Sequence, residues 1–154
     1  MDLQITKYQF GERPQVSKPD HLFYLAMGEN GMREMVNNHY DLLRKSSINH
    51  LFPVDNELFE AAKRNSADFM IQICGGPEYF NQHRGNPMLS KRHAPFAITA
   101  EGRIVWLECY KQVLIHLDIA ENLVLSFWNY LNVFSNWVVN TKSDEDSFPI
   151  IIPE

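Results

Sequence analysis

Cysteine is scarce in this 154-residue chain. Cys74 and Cys109 form no C-x-x-C pair and belong to no Cys/His set with zinc spacing. Two isolated thiols fit a reducing compartment, so the cytoplasm is the expected location, with one disulfide as the alternative. Long apolar runs are missing as well. No stretch approaches the roughly 20 residues a membrane helix needs, and the opening MDLQITKYQF lacks the shape of a signal peptide. Positive charge is not in excess. With 14 Lys and Arg against 19 Asp and Glu, the net charge of −5 argues against nucleic acid or an anionic membrane as a partner. The chain contains no P-loop, no G-x-S-x-G, no dinucleotide-binding glycine fingerprint and no H-E-x-x-H. No internal repeat or low-complexity segment is present.

What the chain does have is helical periodicity. Residues 1–19, with Gly11, Pro14 and Pro19, read as an extended arm. Asp20 is placed to cap a short helix through Leu25, which Gly28 ends. Met32, Met35, Val36, Tyr40 and Leu43 then recur on one helix face. Pro53 breaks the chain. Asp55 or Asn56 caps a second long helix with the stripe Phe59, Ala62, Ser66, Phe69, Met70 and Ile73, which GGP at 75–77 ends. A third helix is expected from Thr99 to about His116, and a fourth from about Ala120 to Val139. No strand pattern appears apart from the short IIIP near the end, so the expected class is all-α. Residues 20–141 form the expected domain, and 142–154 a tail with no assigned structure.

The stretch GNPMLSKRHAPF, residues 85–96, contains a helix barely two turns long. Asn86 is a good N-cap and Pro87 a good first residue, while Pro95 disfavours helix at Ala94. The helix therefore ends near His93, with Leu89 four residues earlier on the same face. Taken alone, a histidine at a helix C-terminus is an ordinary dipole-stabilising residue. The six histidines, at 21, 39, 50, 83, 93 and 116, make no H-x-x-x-H. A metal held by this chain would thus have one protein ligand, an arithmetic that haem satisfies because its porphyrin supplies four nitrogens.

Residues 75–110, GGPEYFNQHRGNPMLSKRHAPFAITAEGRIVWLECY, resemble the group II truncated haemoglobins, small globins with a two-over-two helical sandwich. The likeness extends over about residues 22–141. GGP, R-G-N-P in place of R-G-H-P, R-H-A-P-F, and a tryptophan after a short polar spacer follow one another in the family's order. The resemblance implies haem b as cofactor and His93 as the proximal iron ligand, with Leu89 packed beneath the ring. It implies Arg92, and Lys91 unless that residue is simply solvated, near the haem propionates. Phe52 matches the aromatic that wedges against the haem, and Phe69 falls on the helix facing it. Phe80 stands where relatives often carry a propionate-binding tyrosine, and neighbouring Tyr79 is the expected substitute. Asn86 replaces the motif histidine but keeps the capping role. Tyr40, Trp106, Ser66 and Ala62 match the distal positions around the ligand. Ser66 has the alternative of bonding back to its own helix, and Tyr40 and Trp106 that of plain core packing. His39, where phenylalanine is common, is expected at the haem edge, or else as a sixth iron ligand.

The function implied is reversible binding of O₂ and related small ligands at a five-coordinate iron. Tyr40, Trp106 and Ser66 each bring a hydrogen-bond donor, which slows O₂ release and argues against rapid transport. NO dioxygenation or peroxidase-like turnover is the alternative, and either needs an external reductase. A sensor of O₂ or sulfide is another possibility, and a haem-free helical interaction domain is the reading from a different class. A monomer or weak homodimer is expected.

Overall fold

The computed structural model describes residues 1–142. Six α-helices follow in order: α1 His21–Arg44, α2 Asn56–Ile73, α3 Tyr79–Arg84, α4 Leu89–His93, α5 Ala100–Leu114 and α6 Glu121–Phe134. Short 3₁₀ turns lie at Asn49–Leu51 and Ser135–Val138, and no strand occurs among the described residues. Among the described residues no helix is long and apolar enough to cross a membrane. Of the expected tail, only Lys142 lies within the described residues.

Side-chain caps set three of the starts. Asp20, Asp55 and Thr99 accept from the backbone N–H of Leu22, Leu58 and Gly102 at 2.9, 3.0 and 3.0 Å. Gly28, at φ 70°, ψ 168°, kinks α1 where the sequence suggested a stop, and the helix resumes beyond it. Gly75 ends α2 at φ +92°, and a Cβ there would lie 2.5 Å from His21 Nδ1.

α1 packs against α2 and α5 against α6, while α1 also contacts α5 and α6, so one helix pair rests on the other. Phe23, Tyr110, Phe127 and Trp128 fill the space between them and are essentially inaccessible to solvent. Burying each such side chain contributes about 1.5–3 kcal/mol. The first 19 residues form no helix, yet they are tied down along their length. Leu3 is fully buried. Trp128 Nε1 donates to the Gln4 carbonyl at 2.9 Å, Asn136 Nδ2 to Glu12 at 2.7 Å and Trp137 Nε1 to Pro14 at 2.7 Å.

The stretch 79–84 becomes α3, which periodicity did not indicate. The expected fourth helix stays α-helical only to Phe134 and tightens into a 3₁₀ turn over Ser135–Val138. That turn, with Asn140 beyond it, braces α4. Ser90 Oγ donates to the Trp137 carbonyl at 3.2 Å, and Asn140 Nδ2 to the His93 and Phe96 carbonyls at 3.2 and 2.9 Å.

Candidate functional site

A cavity of about 410 Å³ opens between α1, α2, α4 and α5, within the range of small-ligand and cofactor sites. It brings together Tyr40, Phe52, Ala62, Ser66, Phe69, Leu89, Arg92, His93 and Trp106, nine of the ten site residues read from the sequence.

His93 is held from both ends of its residue. Its backbone carbonyl accepts from Asn140, and its Nδ1 lies 2.7 Å from the Leu89 carbonyl oxygen one turn earlier. A carbonyl only accepts, so Nδ1 carries a proton, and in the neutral ring the lone pair is then on Nε2. This is the protonation pattern of a metal-ligating imidazole with a backbone carbonyl as its outer partner. Short as it is, α4 supplies the carbonyl and the imidazole in one turn.

The charge of the cavity wall is of one sign. Arg84, Arg92 and Arg103 line it beside His93, and among the described residues no carboxylate does, in a chain of net charge −5. Arg103 is buried and among the described residues bonds neutral acceptors: Ser135 Oγ at 2.9 Å, the Thr6 carbonyl at 2.9 Å, and the carbonyl and side-chain oxygen of Asn132. Burial pushes its pKa down, with the neighbouring Tyr8 opposing. Arg84 and Arg103 were not singled out from the sequence. Arg84 belongs to the R-G-N-P run, and Arg103 precedes Trp106 by one turn in a helix otherwise apolar on that side; both signals were legible.

Tyr40, Ser66 and Trp106 bring donors from α1, α2 and α5. Burial raises the Tyr40 pKa, with the Ser66 hydroxyl beside it pulling the other way, so the phenol keeps its proton. The Tyr40 ring stands edge-on to Phe52, with centroids 5.5 Å apart. Ala62 lines the α2 wall with a methyl group only.

Three expectations are corrected, and for Lys91 one of two open readings is favoured. Tyr79 does not reach the cavity, because its hydroxyl donates to Glu29 at 2.8 Å; Phe80 lines the wall instead. His39 does not lie at the cavity edge. It is fully buried behind Trp106, with Nε2 3.0 Å from the Trp106 carbonyl, and burial drives its pKa down to about 3. Asn86 does not cap α4. The helix begins at Leu89 after Met88 in the left-handed region, because the Arg92 guanidinium gathers the carbonyls of Arg84, Asn86 and Pro87 at 2.7, 3.1 and 2.7 Å and shapes the approach. Lys91 is exposed and outside the lining, the solvated alternative.

The donor set fits haem. One histidine lines a largely apolar cavity, three arginines of the same lining carry the charge that two propionates would need, and no group of three or more His, Cys, Asp or Glu side chains among the described residues could hold a bare metal ion. A family model for bacterial-like globins matches residues 22–140. The chain is a bacterial-like globin. Within that family its relatives are group II truncated haemoglobins. The group 2 truncated haemoglobin YjbI of Bacillus subtilis is 31% identical over 124 residues, 80% of this chain and 92% of the relative. Among solved structures, phosphate-bound Hell's gate globin IV superposes with a TM-score of 0.83 at 30% identity, covering 97% of this globin and 99% of the other chain. The truncated oxygen-avid haemoglobin of Bacillus subtilis gives 0.71 at 28% identity, covering 77% and 98%. As a truncated globin the chain is a haem-binding protein.

Proposed function

We propose that this globin binds haem b through His93 and holds O₂ and other small diatomic ligands reversibly. One observation carries the reading: the Nδ1–H of His93 is committed to the Leu89 carbonyl, which leaves Nε2 as the one imidazole nitrogen free to ligate iron in a cavity that no carboxylate lines among the described residues. Non-covalent haem is favoured because neither cysteine lines the cavity. When bound, haem would supply the iron that takes up such ligands.

The protein's own part is orientation, compensation and donation. Leu89 fixes the tautomer of His93, and Asn140 fixes its backbone. Arg84, Arg92 and Arg103 supply positive charge to the wall, where carboxylates of a cofactor are attracted. Tyr40, Ser66 and Trp106 offer O–H and N–H groups to a ligand that accumulates negative charge. Phe52, Phe69 and Leu89 keep the cavity apolar. Two buried free thiols, Cys74 and Cys109, support the cytoplasm as location.

Titration of the purified chain with haemin tests the reading. A Soret band saturating at one haem per chain, with spectra that shift reversibly between argon and air after reduction, is the expected result. Absence of a saturable Soret band would overturn it.

A further inference from the structure

His39 lies outside the lining of the ligand cavity and meets two residues that belong to it, Trp106 and, edge-on at 6.0 Å between ring centroids, its chain neighbour Tyr40. Its Nε2 is 3.0 Å from the Trp106 carbonyl oxygen. That oxygen belongs to α5, whereas His39 belongs to α1, so the bond ties the two helices at the level of the indole. A carbonyl only accepts, so Nε2 carries the proton. The His39 ring stacks on Tyr110 at 3.6 Å between centroids and meets the Trp106 indole edge-on at 5.1 Å, while Tyr110 meets Trp106 at 5.0 Å. Trp106 is thus held at its backbone and on its ring by a pair of buried side chains.

The arrangement is costly. His39 Nδ1 and the Tyr110 hydroxyl are the two buried side-chain polar atoms that find no partner among the described residues. Leaving a buried polar group unpaired is destabilising, and a phenylalanine at position 39 would remove one of the two. A group whose polar atoms do little for stability, and whose single bond is spent on the backbone of a cavity residue, acts on that residue.

We infer that His39 is a positioning residue for Trp106, fixing the indole N–H in the cavity so that the site favours ligands that accumulate negative charge over neutral ones. The inference rests on Trp106 being a ligand donor, as proposed above. Next in sequence, Tyr40 supplies its own donor to the cavity from the same turn of α1. One turn of α1 therefore sets two of the three donors, one directly and one through α5.

The haem-loaded full chain is compared with the variants His39→Phe, His39→Gln and Trp106→Phe. Phenylalanine keeps the ring and loses the donor. Glutamine places an amide N–H at the same number of bonds from Cβ as Nε2. Expected for His39→Phe is O₂ dissociation about fivefold faster, CO dissociation within a factor of two, and an unfolding midpoint at pH 7 no lower than that of the parent. His39→Gln returns O₂ dissociation to within about twofold of the parent. In chains labelled with 5-fluorotryptophan and saturated with CO, the ¹⁹F resonance that Trp106→Phe removes shifts or broadens in His39→Phe and is restored in His39→Gln. If Trp106→Phe speeds O₂ release but His39→Phe leaves both release and the resonance unchanged, the positioning role fails and the donor reading stands. An equal acceleration of CO and O₂ in His39→Phe also overturns it, because that is general loosening. If Trp106→Phe itself leaves O₂ release unchanged, the donor reading fails and takes the inference with it.

Discussion

His93 Nδ1 lies 2.7 Å from the carbonyl oxygen of Leu89, its own i−4 residue. The imidazole therefore takes its outer hydrogen bond from the helix that carries it, and any rotation that aims Nε2 elsewhere breaks that bond. A neutral hydrogen bond of this kind contributes about 0.5–1.5 kcal/mol, enough to bias the ring toward one orientation.

The first prediction concerns that nitrogen. His93→Ala removes the one imidazole that lines the cavity, so the variant should retain far less haem on gel filtration. Added imidazole should restore a low-molecular-weight axial bond and the parent-like spectrum. An unchanged iron–histidine stretch in the variant would assign the ligand elsewhere.

The reduced, ligand-free protein should be five-coordinate. His93 is the one histidine in the cavity lining, and His39 is spent on the Trp106 carbonyl. Resonance Raman of the deoxy protein should show high-spin five-coordinate markers, unaltered by His39→Phe. Low-spin six-coordinate bands that vanish in that variant would mean His39 can swing into the cavity.

Acid should weaken the fold through His39. Its pKa falls from the ordinary 6.5 to about 3 on burial. Between those values the unfolded chain binds a proton that the folded chain excludes, so stability is complete above about 6.5 and falls as pH drops toward 3. The loss should reach about 2 kcal/mol by pH 5. Urea unfolding at pH 7.5 and pH 5, with His39→Phe run in parallel to subtract other titrations, measures it; equal pH slopes in the two proteins would refute the buried neutral state.

Much of this architecture could be read from spacing alone, and the misses share a cause. The stripes of α1 and α2, and the caps Asp20, Asp55 and Thr99, are local signals, and each lies where the pattern placed it. α3 has no such stripe. It is held by bonds to other helices: Asn81 N–H donates to Gln72 and the Tyr79 hydroxyl to Glu29, and His83 Nδ1 lies 2.9 Å from the Asp68 carboxylate. Those same bonds turn Tyr79 away and present Phe80 and Arg84 to the cavity. Asn86 has the right residue type for a cap, but the Arg92 guanidinium competes for that backbone from six residues away. His39 was misplaced because one position on a helix spans about 100°, enough to move a side chain from the cavity to the core behind it.

Trp106 gives the last prediction. Its indole has a donor and no acceptor, it lines the cavity, and its Nε1–H appears in no hydrogen bond among the described residues, whereas those of Trp128 and Trp137 are both used. A free donor there stabilises bound O₂, which draws negative charge, far more than neutral CO. A charge-assisted bond is worth roughly 1.5–3 kcal/mol. If most of it is lost in release, Trp106→Phe should speed O₂ dissociation by about tenfold or more. CO dissociation should change much less, apart from the effect of a smaller ring. Tyr40 and Ser66 stand close enough to each other to share the role, so the Tyr40→Phe and double variants must be measured alongside. Coupling between Tyr40 and Trp106 should show as an effect of the double variant larger than the product of the two single ones, since each donor covers for the loss of the other. Stopped-flow release of O₂ and CO from all four proteins separates these cases. O₂ release that ignores the tryptophan change in both backgrounds would make Trp106 a packing residue and remove α5 from the ligand site.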